Sequence, residues 1–586
     1  MNMIEQARSE TPEPSAFWVM ALFIFFVWVL FSNLGGTALF EPDEGRNAEI
    51  AREILLLKDW VTPHYDFIPR LDKPMLFFDL VALSYKLFGI SEWSARLPSA
   101  LAALGCLLLT YRFSRALWAR SVAFWSSLIL LTSVEFFALS QIVILDMLFT
   151  LFLTLAICCF FTAQSRIDCG KGRAHFLLMY AAIGAATVTK GPIGFLLPAA
   201  IMFVYILLTR QWVKLRYMEL PFGIPLFLIS ATSWYLMAEW RNPGFVHHFL
   251  WEENFSRFAT TRFNRVQPWY FYIVTLPAGF FPWSIFLPSA IADFWKHSLS
   301  RERLFLIVWI SLPLLFFSLS TSKLLHYILP IFPPLAMIVG ETVARAFQSL
   351  QTKRIGLAAF PFISFLLLSL TLAVVLIWPG VLPDPLKQKI AFGSSQVPIL
   401  PIAGLFVLLL LAVAAIRTRL WRNPAILYAV TAATFALFLQ LSQPIAAAVA
   451  DYRSSRLLAE KSAAYISASD KLALYGGYPS SLPYYLKIHR PIRVAWSGSK
   501  RQVLGSDYVA LQRPNPAVGY GQVLYTYDEF AELWKKSDRR MLVFVHSGAV
   551  NRFKELVETP VRVLSDFGDF VLFENTGAEH SRTRDD

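Results

Sequence analysis

Acidic and basic side chains are scarce in this chain, and they gather. After a first apolar run the sequence reads Glu41-Pro42-Asp43-Glu44-Gly45-Arg46, then Asp59-Trp60-Val61-Thr62-Pro63, then Leu71-Asp72-Lys73-Pro74. A carboxylate behind a proline, at the opening of a helical pattern, can hold free amide groups as a cap or act as a base on a hydroxyl. Asp43 suits both roles, with Glu44 and Arg46 beside it as candidate substrate contacts. Lys73 either snorkels along apolar surface or sets its ammonium against a lipid phosphate at headgroup depth. A second acid, Asp146, lies in Ile144-Leu145-Asp146-Met147-Leu148 beside an apolar run. A carboxylate at such depth is costly, so it either serves function or sits in an ion pair.

Two further segments carry cations. Residues 239–269 place Arg257, Arg262 and Arg265 among acids and aromatics. The guanidinium fork matches phosphate oxygens, while Trp269 and Tyr270 suit an interfacial belt. Residues 320–336 hold Lys323, His326 and Tyr327, and Thr189-Lys190-Gly191-Pro192 forms a similar turn. One basic residue at a helix end is ordinary. Several such turns on one face suggest a shared anionic ligand.

Lipid is the solvent these groups are set in. The 586 residues are 56% hydrophobic and only 16% charged, with a mean hydropathy of +0.51, where soluble domains average about 25% charged. Runs long enough to span a bilayer, about 20 residues each, fall near 17–39, 97–117, 121–139, 146–164, 175–189, 193–209, 220–238, 270–292, 303–320, 326–344, 355–378, 398–416 and 423–447. The sequence therefore predicts an α-helical polytopic membrane protein of about 13 transmembrane helices. The first run is read as a retained span, since no small-residue cleavage site follows it.

Alternate loops are short and basic: Arg112/Arg115/Arg120, Arg166/Lys171/Arg173, Arg210/Lys214/Arg216, Lys296/Arg301/Arg303, Arg345/Lys353/Arg354 and Arg417/Arg419/Arg422. That is the positive-inside pattern, with the N-terminus inside. It absorbs the net charge of +13 and removes the argument for nucleic acid. The catalytic transmembrane domain is expected over 1–448, with outer loops 40–98, 239–269 and 320–326, and 449–586 as a small outer α/β domain with a disordered end. Strands are expected at Leu472–Tyr475, Ile492–Trp496, Tyr508–Leu511, Val523–Tyr527, Leu542–His546, Val561–Leu564 and Phe570–Phe573, alternating with helical patterns. The long first loop is expected to form amphipathic helices on the membrane surface, turning Ile50, Ile54 and Leu55 to lipid or protein. Cys106, Cys158, Cys159 and Cys169 show no metal or disulfide spacing and are read as packing residues. His546 and Ser547 are read as turn residues.

These motifs have a familiar order. Ala48-Glu49-Ile50-Ala51-Arg52-Glu53, Asp59-Trp60-Val61-Thr62-Pro63, Asp72-Lys73-Pro74, Ala95-Arg96-Leu97-Pro98, Lys190-Gly191-Pro192, Glu253-Asn254-Phe255-Ser256-Arg257, Ser322-Lys323-Leu324-Leu325-His326-Tyr327 and Pro479-Ser480-Ser481-Leu482-Pro483-Tyr484-Tyr485 follow one another along the whole chain. Together they resemble the aminoarabinose lipid A transferase family, among the protein O-mannosyltransferase-like GT-C glycosyltransferases. The resemblance implies a sugar on undecaprenyl phosphate as donor, a lipid A or other glycolipid acceptor, and transfer at the periplasmic face of a bacterial inner membrane. It implies Asp43 as the catalytic carboxylate, Asp146 as a second catalytic acid, and Lys73, Arg257 and Tyr327 at the donor phosphate, with Lys323 also at the substrate. It implies no cofactor firmly; a divalent metal is compatible with it, and no metal ligands are assigned. Three positions depart from the family's usual residues: Asn47 for Tyr, Asp72 for Glu and His326 for Pro. A protein O-glycosyltransferase is the nearest alternative. A lipid-sugar transporter would instead carry polar groups near mid-membrane in two related halves, and an anchoring protein needs no aligned carboxylate and cations.

Overall fold

The computed structural model describes residues 14–167, 170–256, 266–296, 300–348, 359–377, 423–498, 504–513, 520–537 and 539–575. The chain divides into two compact units. One comprises 1–36, 96–236 and 250–449; the other comprises 37–95, 237–249 and 450–586.

The first unit is a helical bundle. The expected spans that fall within the described residues each contain helix, though the helix in 17–39 ends at Phe31 and those in 121–139 and 270–292 are broken, and the expected span at 398–416 lies outside them. Among the described residues, six helices can cross a bilayer by length and composition, and up to eight if two bent pairs each count as one span. The bent pairs are Arg120–Leu131 with Val134–Ser140, at 66°, and Phe271–Gly279 with Trp283–Asp293, at 113°. Three further apolar helices, including Ala16–Phe31, are shorter. The core is aromatic: Trp125 meets Trp283 and Tyr428 edge-on and stacks on Phe347. The indole N–H of Trp283 donates to Thr132 Oγ1 at 2.8 Å. Glycine permits the closest helix approach. A Cβ on Gly194 would lie 2.3–2.5 Å from the backbone of Ala186 and Thr187. Arg96, almost fully buried, donates to the Leu34 carbonyl at 3.0 Å and so is a staple inside the bundle. Cys106, Cys158 and Cys159 are buried free thiols, and Cys169 lies outside the described residues.

The second unit is built on a mixed sheet. A hairpin, β1 (His64–Tyr65) with β2 (Ile68–Pro69), stands apart. The main sheet comprises β3 (Lys471–Tyr475), β4 (Arg493–Trp496), β5 (Leu524–Thr526), β6 (Met541–His546), β7 (Val561–Asp566) and β8 (Phe570–Asn575), ordered β5-β4-β3-β6-β8-β7. The first four neighbours run parallel, and β8 and β7 close the edge antiparallel. Parallel strands need cover on both faces, and alternation supplies it. Ala473, Tyr475, Val543 and Val545 join Phe530, Trp534 and Phe553 on one face. Leu472, Leu474, Leu542 and Phe544 join Leu482, Ile488 and Ile492 on the other. One expected strand is corrected: Tyr508–Leu511 lies in the helix Asp507–Gln512, because the Ser506 hydroxyl caps it by accepting from Val509 N.

The first outer loop belongs to this unit, and of the two surroundings expected for Ile50 and Ile54, lipid or protein, both residues have protein. Residues Gly45 and Asn47–Ile54 of the helix Asp43–Leu57 are buried, including Glu49, Arg52 and Glu53. A helix lying on lipid would leave one polar face in water; this one has none. Its buried polar groups are partnered instead. Arg52 donates twice to Glu49, at 2.6 and 2.7 Å, and once to the Ile488 carbonyl at 2.7 Å. Glu53 accepts Asp66 N at 2.8 Å and Phe67 N at 2.9 Å. Those amides belong to the two-residue turn of the β1–β2 hairpin, where Asp66 and Phe67 both have positive φ, 57° and 62°. Such a turn strains non-glycine residues, and the Glu53 carboxylate holds it.

Candidate active site

In the second unit, three neighbouring acids have three different environments. Glu41 accepts Ser480 N and Ser481 N, each at 2.6 Å, and the hydroxyls of Ser481 at 2.5 Å and Ser455 at 2.8 Å. Glu44 is buried and accepts Phe40 N at 3.0 Å. Asp43, between them, keeps 56% of its side chain exposed and pairs with Arg46. Pro42 occupies the cap position, so Asp43 and Glu44 form the first helical turn, where the helix dipole favours negative charge. Of this triplet, Asp43 is the exposed member, Glu41 being half-buried and Glu44 buried.

Arg46 is mostly buried along its length and runs over Gly505. A Cβ there would lie 2.8 Å from Arg46 Nη1, and Gly505 has φ +73°. Lys73 is half-buried, between buried Asp72 and buried Pro74 and Met75. Asp72 anchors that stretch: it pairs with Arg70 at 2.7 Å and accepts the Ser506 hydroxyl at 2.7 Å. Arg70 also donates to the Gly505 carbonyl at 2.9 Å. Asp59, in the motif before the hairpin, pairs with Arg241 at 2.6 Å.

In the first unit, Asp146 stands in the first turn of the helix Leu145–Ser165 and is 4% exposed. Lys190, the last residue of the helix Arg173–Lys190, bonds to its Oδ1. His326 Nε2 lies 3.7 Å from its Oδ2. The Lys190 ammonium also sits 4.9 Å from the ring centres of Phe149 and Tyr327. Tyr327 is further packed on Phe317 at 5.5 Å. Two helix ends and the 3-10 turn Leu325–Ile331 thus bring an acid, a cation, an imidazole and a phenol together. Lys323 is turned to another task. It is buried and donates to the carbonyls of Gln267, at 2.9 Å, and Ser320, pinning the bridge between Val266 and Ser322. Arg257, Arg262 and Arg265 lie outside the described residues. A mainly apolar cavity of about 350 Å³, lined by Leu276, Ile291, Ile310, Leu335, Arg303 and Glu341 among others, contains none of the candidate catalytic or substrate-binding residues.

Sequence reasoning left out Glu41 and Lys190 as site residues. Lys190 was visible as a cation at a helix end, but its pairing with Asp146, 44 residues away, has no local signature. Glu41 had a signal in its neighbour: the Pro479-Ser480-Ser481 motif supplies three of its four donors.

Comparison with known proteins adds three findings. The sequence pattern of the dolichyl-phosphate-mannose-protein mannosyltransferase family matches residues 15–249. The undecaprenyl phosphate-alpha-4-amino-4-deoxy-L-arabinose arabinosyl transferase of Aeromonas hydrophila is 34% identical over 325 residues, which is 55% of this chain and 59% of that protein. The enzyme of the same description from Photorhabdus laumondii is 33% identical over 331 residues, 55% and 58% of the two chains. The chain therefore spans about three-fifths of the length of the curated relatives it matches. The crystal structure of ArnT from Cupriavidus metallidurans bound to undecaprenyl phosphate superposes with a TM-score of 0.79 at 24% identity, over 96% of this chain and 99% of that one. The chain is thus similar in sequence, over a little more than half its length, to aminoarabinose arabinosyl transferases, and it shares the fold of ArnT.

Proposed function

We propose that the chain is a membrane glycosyltransferase that moves a sugar from an undecaprenyl phosphate to a lipid A-type acceptor at the periplasmic face of a bacterial inner membrane. The observation that carries this reading is Asp43, an exposed carboxylate paired with Arg46 in the first turn of its helix. The arabinosyl transferases among its relatives and its likeness to a structure holding undecaprenyl phosphate support the same reading. In this proposal the chain crosses the membrane thirteen times. Basic loops hold the N-terminus in the cytoplasm, and the segment after 448 is a periplasmic domain.

The chemistry follows from charge. Breaking a sugar–phosphate bond leaves negative charge on the departing phosphate, and fixed cations stabilise it as it develops. Lys73 and Arg257 take that role, with Tyr327 as a hydrogen-bond donor. Asp43 removes the proton of an acceptor hydroxyl; toward an acceptor phosphate, already anionic, it orients the acceptor or stabilises positive charge on the sugar ring. Asp146, with Lys190, forms the second acidic position.

The test is transfer of radiolabel from undecaprenyl-phosphate sugars by the purified full chain, with lipid A and a peptide offered as acceptors. Label in lipid A supports the proposal; label in peptide alone replaces it with a protein O-glycosyltransferase, and no label in either removes the enzymatic reading. Asp43→Asn is expected to lower turnover by about 10²-fold or more, with donor binding within about twofold. Near-normal turnover would take Asp43 out of the mechanism.

A further inference from the structure

We infer that Glu41 is a positioning residue for the reaction, and that the Pro479–Leu482 turn, four hundred residues downstream, is the counterpart that makes it one. This rests on the proposed role of Asp43 and extends it to what fixes that carboxylate. Glu41 lies two residues before Asp43. Its two oxygens receive four donors, two of them backbone amides. Hydrogen bonds to an ionised acceptor are roughly twice as strong as neutral ones. The Ser481 hydroxyl is bound on both sides, donating to Glu41 and accepting Ser455 N at 3.0 Å. Neighbouring backbone is joined as well: Glu41 N donates to the Arg453 carbonyl at 2.8 Å, and Leu39 N to the Tyr485 hydroxyl at 2.8 Å.

The contact is tight on the far side of Asp43 too. A Cβ added to Gly45 would meet Ser481 Cβ, Cα and N at 2.5–2.7 Å. Two of those three atoms are backbone and cannot swing aside. Residues 41 and 45 therefore both bear on Ser481, and Asp43 is held at the middle of a five-residue stretch fastened at each end. A carboxylate so held needs no rearrangement when the acceptor arrives. Pre-set geometry of this kind lowers a barrier without touching the reacting atoms. Glu41 itself has its oxygens occupied, so it is not a second base.

A double-substitution cycle tests this on the full chain in detergent, reading kcat, donor KM and thermal stability. Glu41→Gln replaces one acceptor oxygen with a donor facing other donors. It is expected to lower kcat by about tenfold or more while donor KM stays within about twofold. In an Asp43→Asn background the same change is expected to cost less than about twofold, because the group it positions is gone. An equal loss in both backgrounds overturns the inference, as does a raised KM with kcat intact. An Asp43→Asn variant that turns over normally overturns instead the reading of Asp43 on which it rests. A second measurement does not depend on turnover. In an Asp43→Cys variant, the rate of modification by a water-soluble thiol reagent is expected to rise severalfold on adding Ser481→Ala or Glu41→Gln. An unchanged rate in both overturns the clamp.

Discussion

Asp146 and Lys190 form a buried ion pair, and the worth of such a pair can be separated from its role in chemistry. Two charges taken out of water gain little net stability, but removing one partner leaves the other uncompensated and costs about 3–5 kcal/mol. Lys190→Met alone is therefore expected to destabilise the chain by about that amount, read by thermal unfolding in detergent. Adding Asp146→Asn is expected to restore most of the stability. If Asp146 works in the reaction, turnover stays low in the restored double variant; recovery of turnover would assign the pair to structure alone. A second expectation concerns pH. Burial pushes the Asp66 carboxyl well above its ordinary range, and burial followed by the nearby Glu49 and Asp66 charges does the same to Glu53. Their raised values mean that the folded state holds protons the unfolded chain has released. The stability they allow is fully present below the ordinary carboxylate range and is lost as pH rises toward the raised values. Asp66 Oδ1 accepts Ile492 N at 2.8 Å while Oδ2 makes no hydrogen bond. Asp66→Asn keeps the first and removes the charge, and is expected to flatten part of that decline in unfolding curves taken between pH 5 and pH 8.

At the scale of elements, the helix Asp43–Leu57 explains both what the sequence displayed and what it concealed. Its acids, its two basic residues and its length were legible, and so was the turn before it. Its surroundings were not. Apolar positions at Ile50 and Ile54 fit a lipid surface and a protein core equally well, because periodicity reports that a face is buried and not what buries it. The deciding partners, Ile488 and Ser481, lie more than four hundred residues away. The apolar helices were legible because lipid imposes length and composition on each segment separately, though among the described residues only six to eight qualify as spans. The Tyr508–Leu511 strand failed because β-branched and aromatic residues fit either element, and one Ser506 cap decided for helix. Gly45 offers a test at this scale. Gly45→Ala raises helix propensity by about 1 kcal/mol, yet its methyl group would push against the Ser481 backbone. It is expected to lower turnover, and to lower stability despite the better propensity.

For the whole molecule, the division into units cuts across chain order. The residues expected to act, Asp43, Arg46 and Lys73, belong to the unit that also contains the main sheet, while Asp146, Lys190 and Tyr327 belong to the helical one. A chain ended at Val449 keeps every expected span but loses Ser480, Ser481, Ile488, Ile492 and Ser506, which contact the first loop. Limited proteolysis of that truncated chain is expected to cut within residues 37–95, where the full chain resists. Equal resistance would show that the loop folds without its sheet.

This joining of early and late sequence also sets a timetable. Roughly 350 residues separate Ala95 from Ala450. At about 5–20 residues per second, their synthesis takes on the order of 20–70 s. Through that interval the first loop is already made but has no core to complete, with Glu49, Arg52 and Glu53 still in water. Asp43 is fixed only once the ribosome has passed the Pro479–Leu482 turn. On the proposed function, a chain abandoned before that point is expected to lack a fixed Asp43 and to show no transfer, which an activity assay of the chain ended at Val449 checks.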